Sequence, residues 1–123
     1  MAVAMTGCGA GCRTEADQQI HDLKQIVPKL LPESVAATLE EGNDCDSGEG
    51  GHLSFTADPA TDSEKLVEKF LSQGWKRIDR EKENMGPRFI DGVTTERDGK
   101  VVNITIGKSD DGSEMDILAE FQS

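Results

Sequence analysis

Apolar residues recur along this chain with two different periods. Ile20, Leu23, Ile26 and Val27 fall on one helical face, and Gln18, Gln19, Asp22, Lys24 and Gln25 cover the other. That spacing predicts a helix over residues 15–27. Thr14-Glu15-Ala16-Asp17 has the form of a capping box with Asp in the final position, and Pro28 ends or kinks the helix. Leu66, Val67, Phe70 and Leu71 repeat the helical spacing and predict a second helix over 62–73. Thr61-Asp62-Ser63-Glu64 reads as its capping box, and Gly74 as its left-handed terminator.

Elsewhere the period is two. Leu53-Ser54-Phe55-Thr56-Ala57 alternates as a strand, and residues 75–81 resume as one, with Trp75 and Ile78 as core candidates. Asn84-Met85-Gly86-Pro87 is a turn, after which residues 88–97 have strand character with a bulge at Asp91-Gly92. Asp98-Gly99 marks a tight hairpin, because both central residues of a type I′ turn need positive φ. Val102, Ile104 and Ile106 then alternate with polar residues. Beyond Asp110-Asp111-Gly112, so do Met115, Ile117, Ala119 and Phe121. Two consecutive hairpins make a meander. Residues 32–42 support two readings. Pro32, Leu31, Val35, Leu39 and Gly42 fit a helix, with residues 35–39 as an alternative strand against 52–56. Residues 43–51 (NDCDSGEGG) form a loop.

The predicted fold is α+β: an antiparallel sheet with a C-terminal β-meander and one or two helices packed on one face. The whole of 14–123 forms a single domain. Residues 1–13 (MAVAMTGCGAGCR) carry no apolar period and three glycines, and they read as a flexible tail.

Charge narrows the partners. The 123 residues carry 24 acids against 13 bases, a formal net charge of −11. Such a field repels nucleic acid and anionic headgroups. The bases are interleaved with acids along the chain and form no compact patch in sequence, as at Lys24 and Lys29, and at Lys65 and Lys69. Nucleic acid is therefore not an expected partner. No stretch is long and apolar enough to span a membrane.

Met5-Thr6-Gly7-Cys8, with Ala2-Val3-Ala4 before it and Gly9 after it, resembles the lipobox that ends bacterial lipoprotein signals. The order from helix through the Cys45-Asp46-Ser47-Gly48 loop, strand, Gly74-Trp75 helix end and meander covers residues 45–121. It is similar to that of small uncharacterised lipoproteins of high-GC Gram-positive bacteria. The resemblance implies lipidation at Cys8, with residues 1–13 as signal remnant and tether. It also implies a place on the extracellular face of the cell membrane, with membrane contact only through that anchor. It implies no activity. Met5 replaces the usual Leu, and the basic and longer apolar parts of a signal do not precede it. Either the start lies further upstream, or the chain was cut near its signal, or the likeness is accidental.

In an oxidising compartment Cys12 and Cys45 are the candidate disulfide, the alternative being a free Cys45. A thiolate nucleophile at Cys45 is disfavoured by Asp44, Asp46 and Glu49 beside it. Those acids fail the calcium-loop spacing, since Gly48 stands where a third oxygen ligand is needed. Zinc would need Cys45, His52 and ligands from afar, so no metal and no cofactor is assigned. His21 is expected to face solvent. No nucleophile elbow, phosphate loop or dinucleotide fingerprint occurs, and no catalytic residue is assigned. The expected function is a non-enzymatic, surface-anchored domain whose sheet offers a contact surface to a protein or small ligand. The alternatives are a cytosolic binding or adaptor domain without an anchor, and an enzyme whose site assembles only in three dimensions.

Overall fold

Strands β1 (Glu40–Asn43), β2 (Gly51–Ala57), β3 (Lys76–Arg77), β4 (Phe89–Arg97), β5 (Lys100–Lys108) and β6 (Met115–Phe121) form one sheet. Its order is β1-β2-β6-β5-β4-β3, and every neighbouring pair is antiparallel. These strands come from a computed structural model that describes residues 7–43, 50–79 and 86–122, with side chains from Thr14 onward except Asn43.

Strict alternation decides which face of the sheet becomes the core. Leu53 of β2, Ala119 of β6, Ile104 of β5 and Val93 of β4 lie side by side in register, all of them buried. A second row joins Phe55, Ile117 and Ile106. Burying each large apolar side chain contributes about 1.5–3 kcal/mol. Helix α1 (Gly7–Ile26) crosses β1, β2 and β6, and helix α3 (Ser63–Leu71) crosses β3 and β4. Ile20, Leu23 and Val27 from the first helix join Leu66, Val67 and Phe70 from the other in a single apolar cluster. Both helices therefore cover the same face. The expected α+β sheet with its C-terminal meander and helices on one face is the fold.

Helix α1 starts earlier than its apolar pattern predicts. Residues 7–13, expected as a tail, take helical backbone, and Thr14-Glu15-Ala16-Asp17 lies inside the helix instead of capping it. Gly7, Gly9 and Gly11 each cost this stretch about 1 kcal/mol relative to alanine in a helix interior, and nothing in the apolar pattern accounts for the extension. Ala16 is fully buried because the helix backbone lies directly on β2. A side chain at Gly51 would collide with the Ala16 carbonyl, and the Gly51 amide instead donates to Gln19 Oε1 at 2.7 Å.

Helix α3 is terminated as expected but capped one residue later. Asp62, not Thr61, is the N-cap, its carboxylate accepting from the Glu64 amide at 3.0 Å. A carboxylate at this position also meets the positive end of the helix dipole. The Glu64 side chain reaches Arg77, so the reciprocal half of the box goes unmade. At the other end Gly74 has φ 94°, with Gly74 N donating to Leu71 O and Trp75 N to Phe70 O. That pair of bonds is a Schellman motif. Its apolar contact is the edge-to-face packing of Trp75 on Phe70, with centroids 5.1 Å apart.

Residues 28–43 combine parts of both expectations. A 3₁₀ turn (Pro28–Leu30) leads to a single helical turn, α2 (Glu33–Ala36), and then to β1. The strand pairs with β2 as the alternative reading required, but it uses residues 40–43 rather than 35–39. Thr38 sets the change. Its hydroxyl donates to Val35 O at 2.7 Å and accepts from Thr56 N at 2.8 Å, tying the end of α2 to β2.

Two smaller corrections concern the far edge. The strand expected over 75–81 pairs only at Lys76 and Arg77, followed by a bond from Ile78 N to Gly92 O, and residues 80–85 lie outside the described residues. The bulge falls between Phe89 and Asp91, so Ile90 is the extra residue rather than Asp91-Gly92. At the hairpin, Asp98 and Gly99 have φ of 51° and 79°, as a type I′ turn needs.

Candidate functional site

The residues singled out from sequence do not converge. Cys8 and Cys12 belong to the start of α1, but their side chains lie outside the described residues. Cys45, with Asp44, Asp46 and Glu49, lies outside them as well, as do Met5 and Thr6. His21 is exposed on α1 while His52 projects from β2. Among the described residues no three of His, Cys, Asp and Glu come together in a way that could hold a metal ion.

The face of the sheet opposite the helices is flat and polar. Gly42, His52, Glu120, Asn103, Thr94 and Lys76 succeed one another in register across all six strands. The His52 ring lies over Gly42, where a Cβ would stand 2.6 Å from Nε2. Thr94 Oγ1 and Asn103 Oδ1 are hydrogen-bonded at 2.7 Å. This is the surface expected from sequence to make contacts.

A concave site lies on the helical side. The Pro28–Leu30 turn and Pro32 form one wall and α3 the other, enclosing a groove of about 320 Å³. Leu30, Leu31, Pro32 and Leu66 supply its apolar lining. Val27, Leu31 and Val35 anchor the first wall in the core, and Leu66, Val67 and Phe70 anchor the second. Above the lining stand Lys29 from the turn and Lys65 and Lys69 from α3. Lys65 and Lys69 are four residues apart and so share one helical face.

Three of the described basic side chains are held in ion pairs. Lys24 pairs with Glu41 at 2.7 Å, Arg88 with Asp110, and Arg77 with both Glu64 and Asp91. Among the described residues Lys29, Lys65 and Lys69 form no ion pair, and neither do Lys76, Arg97, Lys100 and Lys108; what distinguishes the three is that they line one groove. Asp62 also lines the groove, but its carboxylate is committed to the start of α3. The Arg77 pairs fix that wall from outside, linking the first turn of α3 to β3 and β4. The hydrogen bond with Glu64 leads, and Asp91 adds to it, in pushing the Arg77 guanidinium above its ordinary pKa against partial desolvation.

Sequence reasoning missed this cluster because it sought basic residues close together along the chain. The spacing of Lys65 and Lys69 was visible, but the approach of Lys29 depends on how the Pro28–Leu30 turn packs. A second, broader hollow of about 440 Å³ lies between α2, β2 and the turn before β6, and hydroxyls of Ser34, Thr38 and Ser113 line it.

Comparison with known protein families, with curated proteins and with solved structures finds no match to this chain.

Proposed function

We propose that this chain is a non-enzymatic binding domain that takes a small ligand in the groove between the Pro28–Leu30 turn and α3. The observation that carries the proposal is the convergence of three lysines, unpaired among the described residues, around an apolar lining in a chain of net charge −11. Small-ligand sites typically combine a mostly apolar wall with a few placed polar groups, in volumes of roughly 300–1,000 Å³. The groove falls at the lower end of that range. The carboxylate beside it, Asp62, holds the helix start, which favours holding a ligand over converting one.

The domain works at the outer face of a bacterial cell membrane, anchored by a lipid on Cys8. This second part rests on Met5-Thr6-Gly7-Cys8 and on the small residues around it.

Each part has its own test. Neutral apolar probes such as indole and cyclohexanol, titrated into isotope-labelled protein, should shift the amides of Leu30, Leu31 and Leu66. Shifts confined to Ser54, Asn103 and Leu118 would instead make the flat sheet face the contact surface, as for a protein partner. For the anchor, the mass of the mature protein made from its own gene should show diacylglycerol on Cys8 and cleavage before it. Cys8→Ser should abolish both. A mature protein that keeps Met5-Thr6-Gly7 and a free thiol contradicts the anchor.

A further inference from the structure

We infer that the ligand of this groove is a singly charged carboxylate on a short apolar chain, a medium-chain fatty acid in chemical class. The inference rests on the proposed binding role of the groove and names what fills it.

Three features of the site select this chemistry. First, Leu30, Leu31, Pro32 and Leu66 offer a hydrocarbon surface, which favours an apolar body over a sugar or nucleoside. Second, the cations stand on both walls, Lys29 on one and Lys65 with Lys69 on the other, so an anionic head at the mouth is attracted from both sides. Third, the cations are ammonium groups, which act as point charges, with no arginine fork among the lining residues to match a phosphate bidentately. Asp62 on the same groove repels a dianion more strongly than a monoanion, which selects against phosphate monoesters. A groove of about 320 Å³ has room for one short chain.

The three probes are octanoate, 1-octanol and octylammonium, which share a chain length and differ in head charge. Each is titrated into the full chain at neutral pH while amide shifts are followed. Octanoate should bind with shifts centred on Leu30, Leu31, Lys65 and Leu66, roughly tenfold tighter than octanol, with octylammonium weakest. Reversing two exposed charges of this kind costs roughly tenfold in Kd. Lys65→Glu combined with Lys69→Glu should therefore weaken octanoate about tenfold or more and improve octylammonium. Lys29→Glu, on the opposite wall, should act in the same direction, so the test does not depend on α3 alone. Unchanged amide positions in the sheet of each free variant would confirm that it is folded.

Octanol binding as tightly as octanoate would overturn the inference while leaving the groove as a binding site. So would charge reversals that leave octanoate affinity unchanged. If none of the probes shifts the groove residues, the proposed function falls with it.

Discussion

Helix α3 and the start of the 28–43 segment face each other across the groove, yet the helix and that segment hold their shapes for different reasons. Helix α3 is specified by its own residues. Asp62 caps its start, Leu66, Val67 and Phe70 form its buried stripe, and Gly74 with Trp75 closes it. Residues 28–43 have no comparable local code. Pro28 and Pro32 only restrict the backbone, and the segment is shaped by what it meets: Val27, Leu31 and Val35 in the core, and Thr38 on β2. A groove built from one wall of each kind has one side specified locally and one side whose geometry depends on the rest of the domain.

The largest break should come from the self-specified wall. Phe70 is buried and supports both the core and Trp75. Phe70→Ala should cost about 3–5 kcal/mol, a large part of the 5–15 kcal/mol typical of a domain. A urea titration should show the whole transition shifted, because this wall and the sheet share one core.

A change in the other wall should be smaller and local. Thr38→Val keeps the shape but removes two hydrogen bonds, at a cost of about 1–2 kcal/mol with the Thr56 amide left unsatisfied. Amide exchange should accelerate over residues 35–43 and at Thr56, while α3 keeps its protection. Equal acceleration in α3 would show that the two walls open together and would erase the contrast.

The same contrast explains how much of the fold was legible. The strands 53–57 and 101–106, the Asp98-Gly99 turn and the stop at Gly74 each depend on residues adjacent in sequence, and each stands where its pattern placed it. The start of α3 was misassigned by one residue, because Thr61 and Asp62 are both competent caps and only the reach of Glu64 to Arg77 decides between them. Residues 32–42 read as helix or strand because both are present in part, separated by a threonine whose partner, Thr56, is 18 residues away. The lysine groove was least legible. Its charges come from two segments more than thirty residues apart, and nothing in the order of residues announces that they meet.

Two finer predictions sharpen the comparison. Asp62→Ala should destabilise the domain by about 1 kcal/mol, whereas Thr61→Ala should be close to neutral; thermal melts of the pair identify the cap. The smallest effect concerns acid. Asp111, in the turn that flanks α2 across the broader hollow, accepts from the hydroxyl and amide of Ser113 and from the Ser109 hydroxyl. These bonds lower its pKa from 3.8 to about 2. A depressed carboxylate pKa stabilises the turn fully above about pH 4, and that contribution is lost as pH falls through about 2. The Ser113 amide, which donates to this carboxylate, should therefore shift across that window in a pH titration followed by NMR.

The most direct measurement is of contacts between octanoate and the two walls, by isotope-filtered nuclear Overhauser spectroscopy on the full chain. Cross-peaks are expected from the chain methylenes to the methyl groups of Leu30 and Leu31 on one side and of Leu66 on the other. Cross-peaks to Leu118 on the open sheet face, or to only one of the two walls, would contradict a groove assembled from both.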